Sequence, residues 1–509
     1  MGVAWTSEQQ KVIDLRNRNI LVSAAAGSGK TAVLVERIIT MITDDKAPID
    51  IDKLLIVTFT NAAAAQMRER IGEAIDKRLE EEPYNEHLQK QATLVHNAYI
   101  TTIHSFCLKV IRNNFNQIDL DPSFRIGDEG ELKLLKSDVI EGILEKHYDA
   151  KNDEFFHFVE SYSTGKSDKE LEDIILQLYN FAMSYPWPKE WLEECKKGYQ
   201  LATIEELEAT MWYKNMIENI HTIVTDITEQ LDNLIDLSVS ADGPYMYETN
   251  LKEERDMLIK VLQSSSYVDY FNNFTSIVFG RLSSKKDETV SSTLREMVKK
   301  QRDGIKKTIG AITERYFYES PDHILEDIQK CRESIDVLAD LAREFMDEYA
   351  KAKMDKNLVD YNDLEHFALN ILVEKDEDSW KPTTVATEFR DIFEEIMIDE
   401  YQDSNLVQEM LLRAVSRERI GKNNSFMVGD VKQSIYKFRL ARPELFMEKY
   451  NTYSLEDNIL QRIDLDKNFR SRIEVLDGTN FIFSQIMAET LGGIRYNLEC
   501  ALYLGSAFL

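Results

Sequence analysis

Ile20-Leu21-Val22-Ser23-Ala24-Ala25-Ala26-Gly27-Ser28-Gly29-Lys30-Thr31 decides how the rest of this 509-residue chain is read. A short buried-strand run leads into a loop of small residues, and an apolar helix pattern over 32–42 follows. Small side chains let backbone N–H groups turn toward phosphate oxygens, and a helix start adds partial positive charge. In such a P-loop Lys30 reaches the β- and γ-phosphates and the Thr31 hydroxyl sits on Mg2+. The general pattern opens with Gly, and here that position is Ala24. Gly27, Gly29, Lys30 and Thr31 keep the part that must wrap phosphate, with Ala26 and Ser28 completing the cradle.

A P-loop needs an acidic partner. Ile396-Met397-Ile398-Asp399-Glu400-Tyr401-Gln402-Asp403 supplies it at the end of another apolar run. Asp399 is expected to hold Mg2+ and Glu400 to polarise the attacking water as general base. Further short apolar runs at 19–26, 53–60, 99–103 and 425–429 are each followed by a helical pattern. Strands alternating with helices predict an α/β fold with a parallel sheet.

Charge divides the chain. It carries 61 Lys and Arg against 90 Asp and Glu, a net of −29. Residues 1–113 are neutral in balance, 114–350 carry a net of −21 and 351–509 a net of −8. The acidic middle reads as long amphipathic helices, such as 132–147 and 323–351, with polar breaks at 161–168, 240–244 and 264–267. The α/β domain is therefore expected to be interrupted by a helical insertion. Within it, 281–307 holds nine basic residues against four acidic ones, a stretch read first as a solvated helix face and second as a phosphate contact. The apolar runs are far shorter than a membrane span, and Met1–Trp5 has no leader character. Four scattered cysteines, Cys107, Cys195, Cys331 and Cys500, argue against a zinc site or a disulfide framework and for a reducing cytoplasm.

Val428-Gly429-Asp430-Val431-Lys432-Gln433-Ser434-Ile435-Tyr436-Lys437-Phe438-Arg439 packs an amide, two aromatics and cations into a short space. Gln433 and Arg439 are candidates to meet a γ-phosphate. Tyr436 and Phe438 are candidates to lie against bases, although either alone can equally be core.

With these residues the chain resembles the superfamily 1 helicases of the UvrD/RecB type. Seven motifs stand in the family's order. Thr6-Ser7-Glu8-Gln9 resembles the Q motif, in which Gln9 would read adenine, and residues 24–31 resemble motif I. Thr58-Phe59-Thr60-Asn61 begins a likeness to motif Ia, and Thr101-Thr102-Ile103-His104 to the next DNA-contacting motif. The resemblance thereby assigns Thr58, Phe59, Thr60, Asn61, Thr102 and His104, with Tyr436 and Phe438, to single-stranded DNA. Asp399–Asp403 resembles motif II and 428–439 motif III. Leu465-Asp466-Lys467-Asn468-Phe469-Arg470-Ser471 resembles motif IV, in which Phe469 would stack on adenine and Arg470 contact the γ-phosphate. The resemblance implies an ATP- and Mg2+-dependent motor moving 3′-to-5′ on DNA, in which Lys30, Asp399, Glu400, Gln433 and Arg470 carry the chemistry.

A narrower resemblance is to the AddA-type helicase–nuclease subunits of double-strand-break repair. It rests on Trp5-Thr6 at the start, on the alanine lead into the P-loop, on Ser184-Tyr185-Pro186-Trp187-Pro188-Lys189-Glu190-Trp191-Leu192 and on Val359-Asp360-Tyr361-Asn362-Asp363-Leu364-Glu365-His366. It implies single- and double-stranded DNA as substrates and an AddB-type partner subunit, with no membrane. It divides the chain into a first RecA-like domain, 1–113 and 350–445, a helical accessory insertion, 114–349, and the start of a second RecA-like domain, 446–509. Motifs V and VI and the nuclease domain have no counterpart here, so the chain is expected to be the N-terminal part of a longer protein that binds ATP–Mg2+ but unwinds poorly alone. The competing readings are a stand-alone UvrD-type repair helicase, a non-catalytic DNA-binding subunit clamped by ATP, and a P-loop enzyme acting on small molecules.

Overall fold

The five apolar runs form strands: β1 (Asn19–Ala24), β2 (Leu54–Thr58), β3 (Tyr99–Thr102), β4 (Glu395–Ile398) and β5 (Ser425–Gly429). A sixth, β6 (Leu460–Leu465), joins them, and all pair in parallel in the order β6-β1-β5-β4-β2-β3. The computed structural model describes residues 5–44, 46–163, 167–285, 287–376, 379–487 and 494–505. Two regions read from the sequence, Met1–Ala4 and 164–166 of the first polar break, lie outside these.

Successive strand residues face opposite sides of the sheet, and each side has its own core. Leu21, Leu55, Val57, Ile396 and Ile398 belong to one, and Ile20, Val22, Leu54, Ile56 and Met397 to the other. Every position of β2 and of β4 is buried, as a parallel sheet covered on both faces requires. The fully buried Arg37, on the helix Lys30–Ile42, forks onto Glu395 at the start of β4 and fixes that helix, and so the phosphate loop, against the sheet.

Strand β6 continues the sheet beyond residue 446, where a second domain is expected to begin. Leu460–Leu465 falls in the expected second domain, yet it lies beside β1 in full register from Asn19↔Leu460 to Ala24↔Leu465. Its alternate residues Ile463 and Leu465 bury with Ile20 and Val22, and that apolar face decides the pairing.

The chain forms two units, one comprising Met1–Glu145, Glu172–Trp191 and Ala342–Leu509 and the other Lys146–Leu171 and Leu192–Leu341. The first unit holds the sheet. A pairing of Arg125–Ile126 with Leu358–Val359 sets the departing and returning chain side by side within it. It also holds 172–191, which the charge pattern places in the insertion. The cause is aromatic packing: Tyr179 meets Phe345 and Tyr349, and Tyr185 meets Arg442. The second unit is helical, with Met211–Val239, Glu248–Leu262, Tyr267–Thr275 and Ser292–Tyr316 around a core of Val224, Leu231, Leu251, Phe274 and Ile305. The polar breaks at 240–244 and 264–267 fall between these helices. Among the described residues no helix is long and apolar enough to cross a membrane.

Candidate functional site

Strand β1 delivers the loop 25–29 to the helix Lys30–Ile42. Gly27 and Gly29 take φ of 73° and 83°, a conformation that side chains resist. Three successive loop carbonyls are held from outside. Asn468 Nδ2 donates to Ala26 O at 2.7 Å, Phe469 N to Gly27 O at 2.8 Å and Gln9 Nε2 to Ser28 O at 3.0 Å. A Cβ on Gly27 would stand 2.5 Å from Asn468 Nδ2, so the clamp needs glycine there. The loop's peptide planes are therefore set by contacts outside itself.

Within this cradle Ser28 Oγ and Lys30 Nζ are buried and make no hydrogen bond among the described residues. Lys30 Nζ stands 3.6 Å from Glu400 Oε2. Gly29 caps the helix start without any side-chain acceptor. Orphaned donors converging on a helix start fit a polyphosphate. Thr31 is the second residue of that helix.

Asp399 and Glu400 follow the end of β4. Glu400 sits at φ 54°, a left-handed conformation uncommon for a non-glycine residue. Its N–H donates to Asp399 Oδ1 at 3.1 Å. Burial and the adjoining Glu400 push the Asp399 carboxyl up to about 6, against the pull of Lys30. Burial and Glu400 likewise raise Asp403 to about 6. These carboxylates are crowded with like charge.

This crowding has a cost in the nucleotide-free protein. Below its ordinary pKa of 3.8 Asp399 is protonated folded or unfolded, and there is no penalty. As pH rises toward 6 the unfolded chain ionises first, and the penalty on the fold grows to its full size above 6. We predict that Asp399→Asn stabilises the nucleotide-free chain by about 1–3 kcal/mol at pH 7.5 and by almost nothing near pH 4. Denaturant melts at the two pH values check this, and an equal shift at both would refute it.

Gln402 joins the acidic corner to the motif III turn, a role that its place in the sequence does not signal. It is 1% exposed. Its Nε2 donates to Glu400 Oε2 at 2.8 Å and to Asp403 Oδ2 at 3.2 Å, while its Oε1 accepts from Asp430 N at 3.1 Å. A Cβ on Gly429 would fall 2.3 Å from that Oε1, which explains the glycine. Asp430 in turn accepts from Gln433 Nε2 at 2.9 Å and pairs with Lys432 Nζ at 2.9 Å. The Gln433 amide, expected at a γ-phosphate, is thus held by Asp430. Gln9 is likewise committed at both ends, its Oε1 accepting from Thr6 N at 3.0 Å. In this state it braces the loop rather than offering an edge to adenine.

The motif IV residues are divided. Phe469 is tied to the loop through its backbone, while the Arg470 side chain is exposed and its N–H donates to Asn468 Oδ1 at 2.8 Å. Asn468 itself, 3% exposed, is a second residue whose role the sequence leaves hidden.

The strand-contacting candidates gather at the C-terminal ends of β2 and β3 and at the motif III turn. Phe59 stacks on Tyr436 with ring centroids 4.6 Å apart. Phe438 is 75% exposed and Tyr436 lies 5.8 Å from it. Arg439 is exposed and rests over Tyr436 and Phe438 at 5.1 and 5.6 Å. The structure joins it to the aromatics and not to the phosphate loop. Thr60 caps the helix Asn61–Glu81, Thr102 caps the helix Ile103–Asn114, and Thr58 is buried with its hydroxyl on Thr60 O. Thr102 Oγ1 reaches Asn61 Oδ1 at 3.4 Å. His104 Nε2 lies 3.1 Å from Glu365 Oε1, and its ring lies 4.9 Å from that of Tyr361. Burial opposes ionisation of Glu365, but His104, Gln408 and Asn405 prevail and hold it below the usual carboxylate range. Glu365 is, with Gln402 and Asn468, a third residue that contacts a site candidate without a sequence assignment, although it lies in the family-like run 359–366.

Comparison with known proteins agrees with this geometry. The family model described as the UvrD/REP helicase N-terminal domain matches residues 5–454. The chain is 51% identical to the A subunit of an ATP-dependent helicase/nuclease from Lachnoclostridium phytofermentans, over 99% of this chain and 37% of that protein. It is 47% identical to the protein of the same name from Clostridium botulinum, over 100% of this chain and 41% of the relative. The protein of that name from Acetivibrio thermocellus is 43% identical over 99% and 41%. The chain thus spans about two fifths of the length of these relatives. With a phosphate loop, an acidic corner and an aromatic turn joined in one site, and with the family model matched over most of its length, this chain belongs to the UvrD/REP helicase family, in its N-terminal domain.

Proposed function

We propose that this chain is the nucleotide-driven, strand-gripping part of an AddA-type DNA helicase–nuclease acting in double-strand-break repair. The observation that carries the reading is one hydrogen-bonded path. It runs from Glu400, beside Lys30, through Gln402 to Asp430, and Asp430 heads the turn bearing Tyr436 and Phe438. A change at the phosphate loop thereby has a route to the base-stacking aromatics.

ATP is the substrate. Ala26, Gly27, Ser28 and Gly29 enclose its phosphates, and Lys30 Nζ, buried without a hydrogen bond and 3.6 Å from Glu400, supplies the positive charge. Thr31 and Asp399 are the residues that would hold a divalent cation, Mg2+ in our reading, whose charge would offset that of the phosphates. Glu400 orients and deprotonates the attacking water. Arg470, exposed in this state, and Gln433, released from Asp430, turn to the γ-phosphate on closure, and Phe469 stacks on adenine. Arg439 stays with the aromatics. Phe59, Tyr436, Phe438 and His104, with Thr58, Thr60, Asn61 and Thr102, hold one DNA strand, and repeated closure moves it 3′-to-5′.

Residues 1–113 and 350–445, extended by β6, serve as the first RecA-like domain. The intervening helices serve as its accessory insertion, and the chain from Lys467 onward begins the second RecA-like domain. In the whole protein an AddB-type subunit is the partner, and the compartment is the cytoplasm.

The test is ATP hydrolysis by this 509-residue chain with and without single-stranded DNA. DNA stimulation of at least several-fold supports coupling through the Gln402 path. Binding of neither ATP nor DNA overturns the reading. We further predict that Phe438→Ala weakens single-strand affinity by about 1–3 kcal/mol, since its ring is exposed and free to stack. Fluorescence anisotropy with labelled oligothymidine checks this, and equal affinity would exclude Phe438 from the contact.

A further inference from the structure

The run Ser184–Leu192 carries part of the family likeness, yet neither the phosphate loop nor the motif III turn gives it a task. Its side chains show one. Tyr185 and Trp191 stack with ring centroids 4.7 Å apart and planes 18° apart. Phe181, four residues before Tyr185, stands 5.2 Å from Trp191 and is 38% exposed. The guanidinium of Arg442 lies 5.0 Å over Tyr185 and 5.7 Å over Phe181, and its Nη2 donates to the Tyr185 hydroxyl at 2.5 Å.

Arg442 belongs to the turn that carries the motif III aromatics. Ala441 N closes back on Tyr436 O at 3.4 Å, and Arg442 N donates to Ser404 O at 2.8 Å, just after the acidic corner. One turn therefore presents two arginine–aromatic clusters, Arg439 on Tyr436 and Phe438, and Arg442 on Tyr185 and Phe181. We propose that Phe181, Tyr185, Trp191 and Arg442 form a second base-stacking platform that continues the path of the same single DNA strand. The proposal rests on the reading of the chain as a strand-gripping motor.

The chemistry suits that occupant. Flat rings offer π-faces to any base, and a guanidinium lying on them meets both base planes and phosphate oxygens. In the same helix Tyr179 is 1% exposed and packs the fold, whereas Phe181 keeps more than a third of its surface in solvent, open to a base.

The experiment is a length series of oligothymidines, about 4 to about 16 nucleotides, titrated onto the 509-residue chain and its Phe181→Ala and Trp191→Leu variants. A strand reaching only Tyr436 and Phe438 should bind all three alike. Longer strands should bind each variant about five-fold or more weakly, so the gain of affinity with length is lost. Because Trp191→Leu carries a risk to folding, irradiation of the unmutated chain with 5-iodouracil-substituted strands gives a second readout. Cross-links mapping to 181–191 are expected for long strands alone. If the wild type binds tightly, the variants overlay it at every length and no cross-link falls in 181–191, the platform is refuted while the motor reading stands. If the wild type binds no strand of any length, both fall together.

Discussion

Glu400→Gln leaves nucleotide affinity near that of the wild type and lowers ATP turnover by about 10²–10⁴-fold. The prediction follows from what the substitution keeps. Glutamine has nearly the same shape, and its Oε1 still accepts from Gln402 Nε2, now 2.8 Å from the carboxylate. Both side chains meet the left-handed backbone at φ 54° ahead of the turn Tyr401–Asp403 at a like steric cost. Lys30 loses an anion 3.6 Å away and becomes freer for phosphate, so binding holds or tightens. Only the capacity to take a proton from water disappears. Equilibrium binding of a fluorescent ATP analogue, set beside single-turnover hydrolysis, separates the two effects. Lys30→Ala is the contrast: it removes the cradle's cation, and binding fails before chemistry is reached. Turnover that survives Glu400→Gln unchanged would remove Glu400 as the base and leave Asp403, raised to about 6 by burial and Glu400, as the next acidic group of the corner to test.

The residues legible in the sequence are those whose work is local. A strand, a small-residue loop and a helix lie within two dozen positions, so the phosphate loop announces itself, and the acidic pair does so because it ends an apolar run. The residues that stay hidden act across the chain. Asn468 clamps Ala26 from 442 positions away, and Glu365 restrains His104 from another helix. Gln402 is close to Glu400, but its second partner, Asp430, lies 28 positions on. Strand β6 is hidden for a different reason. Leu460-Gln461-Arg462-Ile463-Asp464-Leu465 holds three polar residues in six, whereas no inner strand holds more than two. Being at the sheet edge, it needs only one buried face, and its Arg462–Asp464 pair on the other at 2.9 Å satisfies the charges. The segment 172–191 defeats composition because acidic helices occur in both units and only tertiary aromatic contacts separate them.

The largest expected effect on stability lies at Lys353. Its ammonium is 3% exposed and pairs with Asp360 at 3.0 Å and Asp363 at 2.6 Å, two carboxylates that also cap the helix Tyr361–Leu372 reciprocally. One buried ammonium is therefore hydrogen-bonded to two buried carboxylates, with Lys136 adding its charge nearby. Burial and Asp360 push the Asp363 carboxyl up, while Lys353 and the Asp363 N–H hold Asp360 down against its own burial. Removing the cation by Lys353→Met leaves the two carboxylates only the charge of Lys136, and we predict a loss of about 3–5 kcal/mol at pH 8. The loss should shrink as pH falls toward 5, because protonating the carboxyls relieves the uncompensated charge, and protons are bound more tightly by the folded variant than by its unfolded chain. We predict that the consequence reaches the proposed strand contact. Glu365 stands five residues into the same helix and holds His104 at 3.1 Å, so a frayed helix start loosens a strand contact. Chemical denaturation across pH, paired with oligothymidine binding under conditions where the variant remains folded, tests both halves. A destabilisation that does not depend on pH would mean that Lys353 contributes packing against Tyr349, 4.2 Å away, rather than charge.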